Sequence, residues 1–299
     1  MNSTYQLGVM QGRLLQKYKG RYQAHPVDYW QEEFYSAKEL GLELIEFIFD
    51  YNDVDKNPLM YDSGIDEILS VTEQTGIDVK SICADYFMEA PLHSSSKLIS
   101  KKSLEVLTDL ISRASRLDVK NIVIPCVDKS TLRNEKQKDS LVRMISEILD
   151  IVEKFKVNIA LETDLAPGPF HDLLERFDSS RITVNYDTGN SAALGYDPDE
   201  EVVAYGDRIS DIHIKDRLLG GESVVLGTGA TDFDKFFLAL EKVGYNGYFI
   251  LQAYRDDEGV EIFKRQFYWF VKVLKFHGII RNIEDYEILE ELRPLKNKK

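Results

Sequence analysis

Thiols are scarce in this chain, which has two cysteines in 299 residues. Cys83 and Cys126 each sit inside an apolar stretch, and neither belongs to a CxxC pair. A disulfide-stapled scaffold is therefore excluded, and the two read as reduced core residues of a cytoplasmic protein. Positive charge is also in deficit, with 37 Lys and Arg against 51 Asp and Glu, a net charge of -14. Binding to a phosphate backbone needs basic surface, so no nucleic-acid partner is expected. No stretch reaches about 18 uninterrupted apolar residues, and the N-terminus, Met-Asn-Ser-Thr-Tyr-Gln, has no basic region. Neither a membrane span nor a signal peptide is expected. With 43% hydrophobic and 29% charged residues, the composition is that of an ordinary globular protein, long enough to bury a core without disulfides.

What the chain does have is alternation. Short β-branched and aromatic runs read as strands over Tyr5 to Met10, Leu42 to Phe49, Asp78 to Cys83 and Asn121 to Pro125. Four more follow at Asn158 to Thr163, Ile182 to Asp187, Ile209 to Ile214 and Tyr248 to Leu251. Amphipathic stretches between them predict helices over Asp28 to Leu40, Gly64 to Thr75, Leu98 to Leu117 and about Gln137 to Phe155. Further helices fit Phe170 to Phe177, Pro198 to Tyr205, Asp232 to Val243 and Val260 to Lys275. Gly41, Gly76 and Gly244 sit where helix C-caps are wanted. Eight βα units with no Pro-, Gly- or Ser-rich linker predict one (β/α)8 barrel over residues 1–281, followed by a polar C-terminal extension over 282–299. A doubly wound sheet would need a Gly-rich phosphate turn after strand one, which Gly8-Val9-Met10-Gln11-Gly12 does not supply.

Barrel enzymes place their chemistry at the C-terminal ends of the strands. Strand five ends on Glu162, strand six on Asp187, strand seven carries His213, and strand eight is followed by Gln252. One such residue alone is ordinarily a helix cap, an ion-pair partner or a core residue. Four in register at one mouth point to a divalent ion, and the donor set without thiolate suits Mn, Mg, Co or Zn.

These motifs resemble the xylose-isomerase-like superfamily of sugar-phosphate isomerases and epimerases. The likeness rests on Asp187-Thr188-Gly189-Asn190, His213-Ile214-Lys215-Asp216, Ala160-Leu161-Glu162 and Leu226-Gly227-Thr228-Gly229. It begins at Gly8-Val9-Met10-Gln11-Gly12-Arg13 and includes Ile45-Glu46. The resemblance implies a metal held by Glu162, Asp187, His213 and position 252, and proton abstraction α to a carbonyl with an enediolate stabilised by the ion. In the epimerases it implies glutamates on strands five and eight, flanking the substrate carbon. Here the chain departs from the pattern, because Gln252 can offer an amide oxygen to a metal but cannot exchange a proton. Glu162 is then the expected base, with Glu46, Lys215 or a metal-bound water as candidates for the second catalytic group.

Arg13, Lys215, Arg217 and Arg255 follow strands one, seven and eight, which become neighbours on closure. With Gly220, Gly221, Gly227, Gly229 and a helix cap at Thr231, they predict a site for an anionic substrate group. Arg13, Arg217, Arg255 and Asn190 are the expected substrate contacts, and Tyr86, Phe87, Tyr186 and Tyr254 are candidates to wall the pocket. The expected function is a metal-dependent isomerase or epimerase of a phosphorylated or acidic sugar, a small-molecule partner. The alternatives are a dehydratase or lyase on a polyol or keto-inositol, and a sugar-binding barrel without turnover. An apurinic-endonuclease-like reading fits poorly with five histidines in all. A homo-oligomer is compatible with the sequence, and nothing in it fixes that state.

Overall fold

The computed structural model describes residues 5–257 and 259–279. Eight parallel strands close into a barrel: β1 Gln6–Met10, β2 Leu44–Ile48, β3 Ser81–Cys83, β4 Asn121–Cys126, β5 Asn158–Thr163, β6 Ile182–Asp187, β7 Ile209–Ile214 and β8 Tyr248–Leu251. Around the barrel their order is β1, β8, β7, β6, β5, β4, β3, β2, and β1 pairs with both β8 and β2. The helices lie between successive strands, giving the expected (β/α)8 architecture. Among the described residues no helix is long and apolar enough to cross a membrane. The C-terminal extension falls outside the described residues.

Strands buried on both faces need apolar residues at nearly every position, which is why the strand runs are almost continuous in the sequence. Alternate residues then serve two cores. On β2, Ile45 and Phe47 join the large cluster beneath the helices. Leu44 and Ile48 instead join a small cluster inside the barrel with Met10, Cys83, Tyr248 and Ile250. Glu46 lies between Leu44 and Ile48 on the same inward face. The period of two likewise turns Glu162, Asn185, Asp187, Asp211, His213 and Gln252 inward, so the site is a consequence of strand register. Gly8 marks the tightest closure, because a Cβ there would sit 2.6 Å from Ile250 Cδ1 and 2.8 Å from Leu44 Cβ.

Several boundaries differ from expectation. Asp28 has φ 77°, a left-handed conformation that cannot open a helix, so the first one spans Glu32–Glu39. The helix expected up to Phe155 breaks at Ile148 (φ −118°, ψ 8°) into Glu135–Ser146 and Leu149–Phe155. Pro at its N-terminus lets another start early, at Pro167–Leu174. Two short helices, Tyr86–Glu89 and Thr188–Leu194, were not anticipated. Both directly follow barrel strands and so build the mouth. Asp232, not Thr231, caps the helix Phe233–Lys242, by accepting from Lys235 N.

Candidate active site

The C-terminal ends of the strands open into a cleft of about 280 Å³, small for a ligand pocket. Glu162, Asn190, Lys215, Arg217 and Gln252 all line it. One oxygen each from Glu162 and Asp187 and a ring nitrogen of His213 lie within 4.8 Å of one another. Glu162 is held from both sides: Asn190 Nδ2 donates to Oε1 at 2.6 Å, and Asn185 Nδ2 donates to Oε2 at 2.8 Å. Burial first, and then the charge of Asp187, push the Glu162 carboxyl up to about 7, even though His213, Lys215 and Asn185 oppose the shift. A carboxyl tuned to that range can both take and return a proton near neutrality.

Asp187 does two jobs with its two oxygens. Oδ1 accepts from Gly189 N at 2.9 Å and Asn190 N at 2.8 Å, capping the short helix after β6. Oδ2 is thereby aimed at the cleft side, where Lys215 Nζ lies 3.2 Å away. The helix-cap role and the site role thus coexist in one side chain.

His213 is fully buried between two carboxylate pairs. Its Nε2 lies 2.7 Å from Glu46 Oε1, and its Nδ1 lies 3.7 Å from Glu162 Oε2. Burial opposes charge on the ring, but Glu46, followed by Glu162 and Asp211, overrides it and pushes the imidazole up to about 10. Glu46 is wholly buried, and its second oxygen accepts from Ser81 Oγ at 2.5 Å. With both oxygens engaged behind the imidazole, Glu46 is placed to orient His213 and not to touch a substrate. Its expected role as a catalytic group is corrected accordingly. A carboxylate on the distal nitrogen is the support that metal-bound histidines use, while Nδ1 lies 3.0 Å from Asn185 Nδ2.

Gln252 offers a second test of fit to a cation. Its Nε2 donates to Gln23 Oε1 at 3.0 Å, while its buried Oε1 has no hydrogen-bond partner among the described residues. An orphaned amide oxygen in a cleft with two carboxylates and an imidazole is a ligand in search of a cation. The converging donors of Glu162, Asp187 and His213 fit a divalent ion, and the unpartnered oxygen of Gln252 is a further donor on a residue that lines the same cleft.

The cationic corner is rearranged. Arg13 is buried, with Nε donating to Ala253 O at 2.9 Å and a terminal nitrogen to Gln23 Oε1 at 2.9 Å. Arg255 is buried too, and donates to the carbonyls of Gly12 and Leu15. Both guanidiniums serve the loop backbone and neither faces the cleft. Of the four expected cations only Lys215 and Arg217 line it. The glycine loop after β7 does form an anion cradle, but its occupant is internal. Gly227 N, Gly229 N and Thr231 N all donate to the buried carboxylate of Asp216, at 3.0, 2.8 and 3.0 Å. The four expected aromatics are not among the lining residues either. Tyr186, for example, is buried behind the barrel on Phe236, with its hydroxyl on Glu201.

The sequence reading missed several cleft residues. Arg21 lines it, clamped to Asp50 at 2.5 and 3.0 Å. Gln23 and Asp85 line it as well. Asp85 stands two residues beyond β3, so the strand-end rule applied to β5 through β8 would have found it on β3.

A family model described as a xylose isomerase-like TIM barrel matches residues 34–273. A Haemophilus influenzae protein provisionally named L-ribulose-5-phosphate 3-epimerase SgbU is 26% identical over 273 residues, covering 84% of this chain and 93% of that protein. The L-ribulose-5-phosphate 3-epimerase UlaE of Salmonella typhimurium is 23% identical over 239 residues, 76% of this chain and 83% of its own. Among solved structures, the IOLI protein, crystallised with a zinc atom, superposes with a TM-score of 0.71 at 18% identity, covering 91% of this chain and 99% of that one.

Proposed function

Because the chain belongs to the xylose isomerase-like TIM-barrel family and is an enzyme of the sugar isomerase and epimerase kind, we propose that it moves a proton α to the carbonyl of an uncharged ketose. Glu162 is the base. Glu162, Asp187, His213 and Gln252 hold a divalent ion, with Mn, Mg, Co or Zn suited to three oxygens and one nitrogen. The observation that carries the reading is the convergence of Glu162, Asp187 and His213 within 4.8 Å at one cleft. When bound, such an ion supplies Lewis-acid polarisation of the substrate carbonyl and so acidifies the adjacent C–H.

The chain's own groups do the rest. Asn185 and Asn190 fix the rotamer of Glu162, so its proton transfer has a defined direction. Asn190 Oδ1 also accepts from Lys215 Nζ at 3.2 Å and an Arg217 terminal nitrogen at 2.8 Å, tying the base to the two cleft cations. Lys215 and Arg217 are placed to hydrogen-bond sugar hydroxyls.

The filled loop after β7 favours an uncharged sugar, since a divalent ion would offset the acidic excess of the cleft itself. The cleft is lined by Arg21, Lys215 and Arg217 against Asp50, Asp85, Glu89, Asp128 and Glu162. SgbU and UlaE are named for a 5-phosphate, but the amide cradle that could grip a phosphate is here filled by Asp216. The test is to incubate Mn-loaded protein in deuterated water with neutral ketoses and with their phosphates, following C–H signals by proton NMR. Exchange on a neutral ketose is expected. Exchange on phosphorylated sugars alone would overturn the substrate class, and no exchange on either would overturn the reaction.

A further inference from the structure

Epimerisation takes a proton from one face of a carbon and delivers another to the opposite face, and the amide at position 252 can do neither. The cleft contains another carboxyl group, linked to position 252 through a single side chain. Asp85 lines the same cleft as Glu162 and Gln252. Unlike Asp50, clamped by Arg21, it has only neutral partners: Gln23 Nε2 donates to Oδ2 at 2.8 Å, and Cys83 Sγ donates to Oδ1 at 3.3 Å. Gln23 is itself oriented, since its Oε1 accepts from Gln252 Nε2 and from Arg13. One fixed amide therefore spans the gap between the strand-eight position and Asp85. The buried Arg13, held by Ala253 O, anchors that bridge.

We propose that Asp85 is the second proton-transferring group of the site, standing in for the carboxylate that strand eight lacks. The assignment rests on the reading of Glu162 as the base. In one direction the C–H bond breaks to the Glu162 carboxylate, and its electron pair enters the enediol double bond. The Asp85 carboxylic acid then gives its proton to the same carbon from the opposite face, forming the new C–H bond as the carbonyl is restored. Exchange with water returns both carboxyls to their starting states, and no oxidant or reductant is consumed. Burial raises the Asp85 carboxyl above the usual range against its two hydrogen bonds, with Asp50 and Glu46 adding to the rise. That favours the acid form the delivery step needs.

The experiment compares Mn-loaded wild type, Asp85→Asn and the double variant Asp85→Asn/Gln252→Glu on the ketose that exchanges. C–H exchange in deuterated water and appearance of the epimer are measured separately, alongside Mn content and thermal melting. Asp85→Asn should keep Mn and keep exchange at the Glu162 face, while epimer formation falls by about 10²–10⁴-fold. The double variant should recover epimer formation by returning a carboxylate to strand eight. Epimer formation at the wild-type rate in Asp85→Asn overturns the proposal. So does joint loss of exchange, Mn and melting temperature, which would make Asp85 a structural residue. If wild type exchanges a ketose but Glu162→Gln exchanges it equally, the reading of Glu162 fails, and Asp85 loses the partner it requires.

Discussion

The two carboxylate pairs around His213 are made of the same residue types and differ in what they face. Glu162 and Asp187 stand at the strand ends, beside a cleft with Lys215, Arg217 and Gln252. Glu46 and Asp211 stand deeper in the barrel, wholly buried, against Ser81 and Asn121. Access separates their chemistry. Glu162 of the outer pair lines the cleft, whereas the inner pair is wholly buried and faces the imidazole. Asp211 illustrates the cost of depth: burial first, and then the charge of Glu46, raise its carboxyl well above the ordinary range. Clusters with matching composition are therefore distinguished by what lies on their open side.

That contrast can be broken at each position. Glu162→Gln keeps the shape of the side chain and one of its two asparagine contacts while removing proton transfer. Exchange measured by proton NMR should fall by about 10²–10⁴-fold with Mn content retained. Glu46→Gln alters only the inner support of His213. Calorimetric titration with Mn should show affinity weakened by about 10–100-fold, the usual range for an outer partner of a metal-bound histidine. Asp211→Asn replaces the buried carboxyl by an amide of the same shape, able to accept from Asn121 Nδ2 as Asp211 Oδ2 does at 3.3 Å. Mn affinity and exchange rate should each stay within about twofold of wild type. A large loss in Asp211→Asn would show that the inner pair carries charge that the site uses.

Much of this was legible in the chain itself, and the failures have physical causes. β5 through β8 fall where periodicity puts them, because each is a short, nearly continuous apolar run. The site residues on those strands follow from the same register, since period two and strand ends together fix which side chains reach the mouth. The cationic corner was misread because a sequence shows which residues follow a strand but not where their side chains turn. Arg13 and Arg255 turn inward to the backbone carbonyls of Ala253, Gly12 and Leu15. The glycine loop was expected to receive an anionic substrate group, whereas Asp216, eleven residues before Gly227, accepts from its amides. Asp85 and Gln23 escaped because one follows a three-residue strand and the other sits in the long loop after β1.

The central claim is that a divalent ion sits on the outer side of His213. Chelator-stripped wild type, Asp187→Ala and His213→Ala should be titrated with Mn by calorimetry under identical conditions. One Mn per chain in wild type and loss of that site in both variants is the predicted result. Equal Mn binding in all three proteins would contradict the account.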